Sequence, residues 1–512
     1  MVAPDHRLLP AQTGPPPQHE PAWARIPFYP VLLAAALVAV AYIQTDVSVL
    51  AVLRTLGVVV LGSIAILLVA WVLVRNGHLA ALIAAAVIVV LRTSDLPHAA
   101  FATLLLGLGA LGLVVFARFR RTPLLAGATG LLNTGALALV IVLVIQATIA
   151  GIPERIAADV RPPPSLAGGA RGGTDPPPDI YLIMLEDYPR ADTLSRLFDF
   201  DNSAFLDRLQ TDGFTVATDS RSNYMFTAMN LTALLQMDYL GATPTLPSSA
   251  SLRMLINQNP VFDRLREAGY TIYSSVARWE SEAVRTADVN CGGDQINEFE
   301  LQTMSDSLIG SGLDLVVPGW RAARDRSVVN AELSCLDAAS RATPDGQRFV
   351  WAHIEAPHIP IVFDANGGPA PSSVYADTAQ AVATTQEEYR RAYVAQLQYL
   401  NSRVSAQIRQ ILARATRPPV IVLMSDEGSE SRLNWQDASK SDLRERFGTL
   451  FAAYTPGHAA LFADQPVTVN VFPALLNAYF GTSFPIRTPR FFISSTEDRP
   501  DVTETRDPFA SP

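Results

Sequence analysis

Charged residues are scarce in this chain. They make up 17% of the 512 residues, against 49% hydrophobic residues, whereas a soluble globular chain carries about a quarter charged residues. This composition excludes an ordinary soluble protein. Basic residues are fewer than acidic ones, and the formal net charge of −9 argues against a nucleic-acid partner. The chain has 2 cysteines, which excludes a disulfide-rich scaffold and any cysteine-rich zinc site.

The apolar residues are concentrated in the first third of the chain. They form stretches over residues 26–43, 55–74, 79–91, 99–117 and 131–150. A helix that crosses about 30 Å of hydrocarbon needs about 20 apolar residues, so these stretches predict an all-α transmembrane bundle of about five helices. We expect the bundle to be an anchor, because a transport pathway would need ionisable groups deep inside the spans and the sequence has none there.

Arginine placement predicts the orientation in the membrane. Arg118, Arg120 and Arg121 lie between the fourth and fifth stretches, and Arg75 lies between the second and third. Arginine-rich loops stay on the cytoplasmic side. We therefore expect an integral protein of the plasma membrane, with the lipid bilayer as a partner, a cytoplasmic amino terminus and an extracytoplasmic position for everything after residue 151.

Composition also predicts the domain boundaries. Residues 1–25 and 499–512 are polar and contain several prolines, which is typical of disordered tails, and the first of these tails is expected to be cytoplasmic. The transmembrane domain spans residues 26–150. Residues 160–178 carry two Pro-Pro-Pro runs and Gly-Gly pairs, a composition that predicts an extended linker over residues 151–177. Residues 178–498 remain as one large extracytoplasmic domain.

Strand patterns alternate with helix patterns in that domain. The predicted strands cover residues 180–185, 215–217, 271–276, 349–352 and 420–424, and the predicted helices cover residues 203–211, 261–268 and 386–415. This alternation predicts an α/β fold with a mostly parallel sheet covered by helices on both faces. Glu186, His353 and Asp426 follow three strongly apolar strands. Because the carboxyl ends of parallel strands meet at one edge of the sheet, a single site is expected there.

Four motifs follow one another in this domain. They are PDIYLIMLEDYPRADTL at residues 178–194, SRSNYMFT at 220–227, HIEAPHIP at 353–360 and VIVLMSDEG at 420–428, with a weaker ERFG at 445–448. In sequence and in order they resemble the sulfatase and alkaline-phosphatase superfamily. Within it they are similar to membrane-anchored, lipoteichoic-acid-synthase-like phosphotransferases. The likeness covers about residues 178–498.

The resemblance implies an alkaline-phosphatase-like domain with a metal-dependent nucleophile. It implies one divalent cation held by Glu186, Thr227, Asp426 and Glu427, with the Thr227 hydroxyl as nucleophile and His358 as general acid or oxygen-binding group. Positive groups are needed to offset these carboxylates, and Arg190 and Arg221 are candidates because arginine suits bidentate contact with phosphate or sulfate oxygens. Asn223 and His353 are the other predicted substrate contacts. Oxygen ligands suit Mn²⁺ or Mg²⁺, with Ca²⁺ as the alternative.

Two positions depart from the family pattern. Asp187 stands where family members carry glycine, and Glu427 stands where they carry histidine. Thr227 has an ordinary alternative as a helix N-cap, and Thr232 is a second hydroxyl nearby. Cys291 lacks the Cys-Xaa-Pro-Ser-Arg context from which sulfatases make formylglycine, whereas a disulfide between Cys291 and Cys335 is allowed outside the cytoplasm.

Together these features predict a membrane-anchored, metal-dependent hydrolase or phosphotransferase. Its substrates would be phosphate or sulfate esters of the cell envelope, on a glycan or phospholipid-type molecule. The alternative is a catalytically inactive descendant that binds envelope polymers or partner proteins, which the change at Glu427 favours.

Overall fold

The computed structural model describes residues 26–45, 47–92, 124–149, 177–240, 249–293, 295–343, 346–376, 385–494 and 502–510. The predicted tail 1–25, the predicted stretch 99–117 and residues 151–176 of the predicted linker lie outside these ranges. The chain divides into two units. The first comprises Met1–Ile43, Arg54–Ala147 and Asp306–Leu308, and the second comprises Gln44–Leu53, Thr148–Ser305 and Ile309–Pro512.

Apolar helices make up the amino-terminal part of the described chain. They are α1 (Tyr29–Gln44), α2 (Val49–Val74), α3 (Gly77–Arg92) and α4 (Leu124–Ile149). Val49–Val74 and Ala128–Ile149 are long and apolar enough to cross a membrane, with mean hydropathies of 2.8 and 2.2. Large side chains of α2 are exposed, for example Leu73 at 75%, as in a helix that faces lipid. The predicted helical character of this region is confirmed for the described residues.

The strands and helices of the second unit alternate from residue 180 onward. The strands are β1 (Ile180–Leu185), β2 (Thr215–Val216), β3 (Thr271–Ser275), β4 (Val289–Cys291), β5 (Arg348–Ile354), β6 (Val420–Met424), β7 (Phe451–Tyr454), β8 (Phe491–Ile493) and β9 (Thr503–Thr505). The helices are α5 (Ala191–Phe198), α6 (Ser203–Thr211), α7 (Thr227–Gln236), α8 (Ser249–Asn257), α9 (Pro260–Glu267), α10 (Glu298–Ser305), α11 (Leu308–Val316), α12 (Trp320–Arg341), α13 (Gln386–Arg414), α14 (Leu443–Phe447) and α15 (Val471–Phe480).

A mostly parallel sheet forms the centre of this unit. Its strand order is β2-β7-β6-β1-β5-β3-β4. The pairs of β1 with β5 and β6 are parallel, as are the pairs of β3 with β4 and β5. Only β7 runs against its neighbours β2 and β6 among the strands described for this sheet. The predicted fold class is therefore confirmed.

Alternation along β1 explains how both faces of the sheet are covered. Every residue of β1 is buried. Tyr181, Ile183 and Leu185 pack into a core that includes apolar residues of α12 and α13. Their neighbours on the opposite face pack into a second core with apolar residues of α7, α9 and α15. Because successive side chains of a strand point to opposite faces, a fully apolar strand requires both layers of helix.

The structure differs from the expected boundaries at two places. Strand β5 continues to Ile354, because its backbone pairs with β1 as far as Leu185, so His353 lies inside the strand. The predicted disordered tail contains strand β9, which pairs with β8 in antiparallel fashion. Asp507 in the same tail forms an ion pair with Arg221 at 2.5 Å. The tail is polar because its side chains face ionic partners and solvent, which composition alone does not distinguish from disorder.

Candidate active site

The carboxyl ends of the central strands bring the predicted acids and histidine together. Glu186 follows β1, Asp426 follows β6, and both strands lie beside each other in the sheet. The backbone N–H of Asp187 donates to Asp426 Oδ1 at 3.3 Å. Glu186 Oε2 lies 3.9 Å from His353 Nε2 on the other neighbouring strand. The predicted edge of the sheet thus holds one buried cluster of ionisable groups.

Thr227 is the first residue of α7 rather than its N-cap. The N-cap position belongs to Phe226, whose extended backbone precedes the helix and whose side chain makes no capping bond. The Thr227 hydroxyl donates to Glu427 Oε1 at 2.8 Å and lies 3.5 Å from Glu186 Oε1. The hydroxyl of Thr232 donates to Ala228 O within the same helix. Thr227, not Thr232, therefore faces the carboxylate cluster from a helix N-terminus, where backbone N–H groups favour negative charge.

Glu427 is held by three donors. Its Oε1 accepts from the Thr227 hydroxyl and from Arg446 Nη2 at 2.9 Å, and its Oε2 accepts from Asn230 Nδ2 at 2.9 Å. The side chain is buried. Both carboxylate oxygens are thus engaged by groups of the protein. Glu427 therefore accepts a hydrogen bond from the Thr227 hydroxyl, and its role as a metal ligand stays a prediction.

Arg446 is the main cationic group of the cluster and was not predicted from the sequence. Its guanidinium forms ion pairs with Asp187 and Glu427 and donates to the carbonyl oxygens of Met225 and Gly428. Such forked contacts are specific to arginine. The weak ERFG motif at residues 445–448 was the signal in the sequence that could have identified Arg446. This arginine reaches the site only because α14 packs beside the loop after β6.

The two histidines occupy different positions around Glu186. Nδ1 of His358 contacts the carbonyl oxygen of Ile359 at 2.5 Å, so this nitrogen carries a proton and Nε2 presents a lone pair. Nε2 lies 3.9 Å from Glu186 Oε1 and 3.8 Å from Asp187 Oδ2. Burial, together with the charges of Arg278 and Arg446, lowers the pKa of His358 to about 3. Burial also lowers the pKa of His353 to about 4.

The side chains of the three remaining residues predicted to contact substrate bind other groups of the protein. Arg190 pairs with Asp192 and Asp219, and Arg221 pairs with Asp219 and Asp507. The side chain of Asn223 donates to the carbonyl of Arg490 and accepts from the N–H of Val469. These contacts organise the segment that leads into α7. A role of these side chains in binding substrate stays a prediction.

The cluster holds more negative than positive charge away from water. Burial raises the pKa of Glu186 and of Glu427 well above their usual range, and repulsion by neighbouring carboxylates adds to the effect. Burial likewise raises the pKa of Asp426, and it raises that of Asp187 to about 6 although Arg446 opposes the shift. Ionised carboxylates in such a place require a compensating cation.

Two buried oxygen atoms of the cluster indicate whether a divalent cation fits beside Thr227. Glu186 Oε2 and Asp426 Oδ2 make no hydrogen bond to any described residue, although buried polar atoms are nearly always bonded. Carboxylate and hydroxyl oxygens are the ligands that Mg²⁺ and Mn²⁺ prefer. The residues present therefore fit a hard dication beside Thr227. Formylglycine chemistry does not fit, because Cys291 is bonded to Cys335.

Comparisons with known proteins find likeness among solved structures, at low sequence identity. No protein-family model and no curated protein sequence matches the chain. Among solved structures, the periplasmic domain of EptC from Escherichia coli is similar, with 13% identity, 67% of this chain and 96% of that chain covered, and a TM-score of 0.41.

Two further structures resemble the chain. One is the integral membrane lipooligosaccharide phosphoethanolamine transferase EptA of Neisseria meningitidis, with 14% identity, 78% of this chain and 73% of that chain covered, and a TM-score of 0.41. The other is Ps i-CgsB in complex with a neocarrahexaose, with 14% identity, coverage of 60% and 73%, and a TM-score of 0.38.

Proposed function

We propose that this chain is a membrane-anchored, metal-dependent phosphotransferase or hydrolase that acts on phosphate esters through Thr227. The observation that carries the proposal is the Thr227 hydroxyl, which begins a helix and donates to Glu427 Oε1 at 2.8 Å. The hydroxyl of Thr232, by contrast, is engaged within its own helix by a bond to the carbonyl of Ala228.

The first chemical step follows from this hydrogen bond. Thr227 Oγ1 forms a bond to phosphorus while the bond from phosphorus to the leaving oxygen breaks, and the hydroxyl proton passes to Glu427. A water or an acceptor hydroxyl then attacks phosphorus while the bond from phosphorus to Thr227 Oγ1 breaks, and Thr227 recovers its proton from Glu427. The proton given up by the attacking hydroxyl balances the one that the leaving oxygen takes up. Backbone N–H groups at the start of α7 stabilise the charge on the phosphoryl oxygens.

A cation completes this arrangement. Glu186 and Asp426 would hold it together with Thr227, and one oxygen of each of these two carboxylates has no hydrogen-bond partner among the described residues. When bound, such a dication supplies charge stabilisation to the hydroxyl and to the phosphoryl oxygens. Arg446 is bound to Asp187 and Glu427, so this arginine does not compensate the negative charge of the substrate.

His358 contributes a contact to substrate in this proposal. Its Nε2 faces the cluster and accepts rather than donates, because the proton lies on Nδ1 and the ring stays neutral. This favours a hydrogen bond from the attacking or leaving hydroxyl over general-acid catalysis. A cell-envelope ester, on a phospholipid-type or glycan molecule, fits an enzyme with helices long and apolar enough to cross a membrane.

The test is turnover of the full chain in detergent, with bis(p-nitrophenyl) phosphate as the probe and Mn²⁺ or Mg²⁺ added. Thr227→Ala is expected to lose about 10³-fold or more in turnover, and Thr227→Ser to retain part of it. Thr232→Ala is the matched control on the same helix and is expected to stay within a few-fold. Mass spectrometry of quenched reactions is expected to find the covalent phosphoryl group on Thr227. Equal activity of Thr227→Ala and the parent would refute the proposal.

A second variant separates proton acceptance from metal binding at Glu427. Glu427→Gln keeps one oxygen to accept from Arg446, presents an NH2 group instead of an acceptor to Asn230, and accepts no proton, so we expect turnover to fall while the bound metal per chain is unchanged. Loss of metal in this variant would instead assign Glu427 as a ligand.

A non-catalytic binding function is the second candidate. The observation in its favour is the full engagement of Glu427 by Thr227, Arg446 and Asn230, which closes the position where the family carries a histidine. Absence of turnover and of metal in the parent protein, with gain of either in Glu427→His, would support it.

A further inference from the structure

Exposed apolar side chains of the domain after residue 177 are concentrated in one short segment. Seven large apolar side chains are exposed among the described residues from 177 onward, and four of these lie within residues 309–317. The four are Ile309, Leu315, Val316 and Val317, with exposed fractions of 52%, 67%, 77% and 49%. Single exposed apolar residues are ordinary on a protein surface, whereas a cluster of them indicates contact with an apolar partner. We refer to residues 308–317, which comprise α11 and the residue after it, as the α11 segment.

Charge does not oppose such a contact. Asp314 is the only charged residue between Asp306 and Arg321. Its carboxylate accepts from Arg321 Nη1 at 2.7 Å and from Trp320 Nε1 at 2.9 Å. A carboxylate that is already paired and hydrogen-bonded costs less to move away from water than a free one. The α11 segment therefore presents an apolar surface whose one charge is neutralised by its neighbours.

Hydrogen bonds on the amino-terminal side of the α11 segment reach the ends of two apolar helices. Within the second unit, Asn297 Nδ2 donates to the carbonyl oxygen of Ala51 at 3.0 Å, and Ala51 lies in the first turn of α2. Within the first unit, Arg92 Nη1 donates to the carbonyl oxygen of Asp306 at 2.6 Å, and Arg92 is the last residue of α3. Of these two helices, α2 is long and apolar enough to cross a membrane.

These contacts indicate the depth at which the α11 segment begins. The end of a membrane-crossing helix lies at the boundary between hydrocarbon and headgroups. Because Arg75 lies between the opposite ends of α2 and α3, the predicted orientation assigns the ends that make these contacts to the extracytoplasmic side. Asp306 precedes the α11 segment by two residues, so the segment begins close to that boundary.

We propose that the α11 segment lies on the extracytoplasmic surface of the lipid bilayer, with its four exposed apolar side chains between the headgroups and the acyl chains. The bilayer is the partner that the two helix ends bring close to the segment. Burial of exposed apolar side chains in it is favourable. The inference goes beyond the proposed function, since it uses the membrane anchoring but not the reaction at Thr227.

The test uses an environment-sensitive dye attached to one introduced cysteine of the full chain. The two native cysteines form a disulfide, so a maleimide dye reacts only with the new thiol of Val316→Cys. The protein is reconstituted into vesicles of phosphatidylethanolamine and phosphatidylglycerol, with or without a phosphatidylcholine that carries a nitroxide near the top of its acyl chain. Quenching by the nitroxide reports contact between the dye and lipid.

Ile486→Cys is the matched control for this label. Ile486 is also a β-branched apolar residue and is 59% exposed, but it lies outside the α11 segment. We expect the nitroxide lipid to quench the dye at Val316→Cys at least about threefold more than at Ile486→Cys, with emission shifted to the blue. Equal quenching at the two positions would overturn the inference.

A second variant tests whether the apolar side chains cause the contact. Adding Leu315→Asp and Val317→Asp to the labelled Val316→Cys protein places two carboxylates beside the dye. We expect the excess quenching to disappear, because charge at this depth of a membrane is unfavourable. Both side chains are exposed, so Tm is expected to stay unchanged. Full retention of the excess quenching in this variant would contradict the proposal.

A second copy of the chain is the alternative partner for the α11 segment. It would give blue-shifted emission at Val316→Cys that the nitroxide lipid leaves unchanged and that is lost when the protein is diluted in lipid. This result would refute the contact with lipid. The proposed function fails separately, because full turnover of Thr227→Ala would refute the reaction while the dye at Val316→Cys was still quenched.

Discussion

Asp187 shows at the level of a single residue how this site departs from the superfamily that its motifs resemble. Its backbone φ is 58°, in the left-handed region that favours glycine and tolerates aspartate better than most residues. Glycine is usual at this position because the backbone there adopts a left-handed φ. In this chain the aspartate meets that requirement and adds a carboxylate, which pairs with Arg446 and lies 3.8 Å from His358 Nε2.

Among the site residues, Arg446 is the one whose substitution we expect to lower the free energy of unfolding most. It is buried and contacts two carboxylates and two carbonyl oxygens. Lysine cannot reproduce the forked contacts, so Arg446→Lys is expected to lower the free energy of unfolding by about 3 kcal/mol. Arg444→Lys on the exposed side of the same short helix is the control, expected to stay within about 0.5 kcal/mol. Urea unfolding measures both, and equal effects would contradict this assignment.

Glu298 gives a pH dependence with a defined sign. Burial raises its pKa from near 4.5 to about 7. Because the folded-state pKa lies above the unfolded one, its contribution to stability is complete below about pH 4.5 and is lost as the pH rises through about 7. Glu298→Gln stays neutral, so between pH 4.5 and 8 it is expected to lose about 2 kcal/mol less stability than the parent. If the curves of unfolding free energy against pH were parallel for Glu298→Gln and the parent, this prediction would be wrong.

At the level of elements, the loop after β6 depends on a close backbone approach. A Cβ added at Gly428 would lie 1.9 Å from the carbonyl oxygen of Glu445, which is backbone and cannot rotate away. This contact brings the Asp426–Gly428 loop against α14 and so places Glu427 beside Arg446. The family motif ends in glycine here for a packing reason that the sequence alone does not reveal.

Gly428→Ala is therefore expected to displace this loop. We expect a loss of a few kcal/mol in the free energy of unfolding together with loss of bound Mn²⁺ or Mg²⁺. Gly312→Ala is the contrasting variant, because Gly312 lies in α11 with nothing within 4 Å of an added Cβ. Alanine there is expected to be neutral or stabilising by about 0.5–1 kcal/mol. Unfolding and metal analysis of both variants check the expectation.

For the molecule as a whole, one covalent link joins distant parts of the extracytoplasmic unit that the sequence predicts. The Cys291–Cys335 disulfide connects the edge strand β4 to α12 across a sequence separation of 44 residues. Closing a loop of that length restricts the unfolded chain. It ties the outermost parallel strand of the sheet to a helix that packs in one of its two cores.

Removing this link is expected to destabilise the unit by about 4 kcal/mol, from the entropy of the loop. The measurement is urea unfolding of the oxidised protein against the Cys291→Ala, Cys335→Ala double variant. The slope of free energy against urea reports whether the unfolded state expands when the link is absent. Equal midpoints for the two proteins would show that the disulfide contributes nothing to stability.

The sequence by itself determined the elements of the fold and the edge of the sheet where the site lies. Apolar runs fix β1 and β6 as buried strands, helical periodicity fixes α13, and Gly213 and Gly269 adopt the positive φ expected at helix ends. These are local properties, set by neighbours within a few residues. The placement of Glu186, His353 and Asp426 at one edge follows from them, because parallel strands align their carboxyl ends.

Only the tertiary structure decided which side chains face one another there. Arg446 meets Asp187 across 259 residues of sequence, and Glu427 meets Thr227 across 200. Glu282 approaches His353 from a helical turn without a motif, while Arg190 and Arg221 turn to other carboxylates. The packing of helices and loops on the sheet sets these pairings, and no local pattern records them. The fold class was therefore readable from the sequence, whereas the partners of each charge were not.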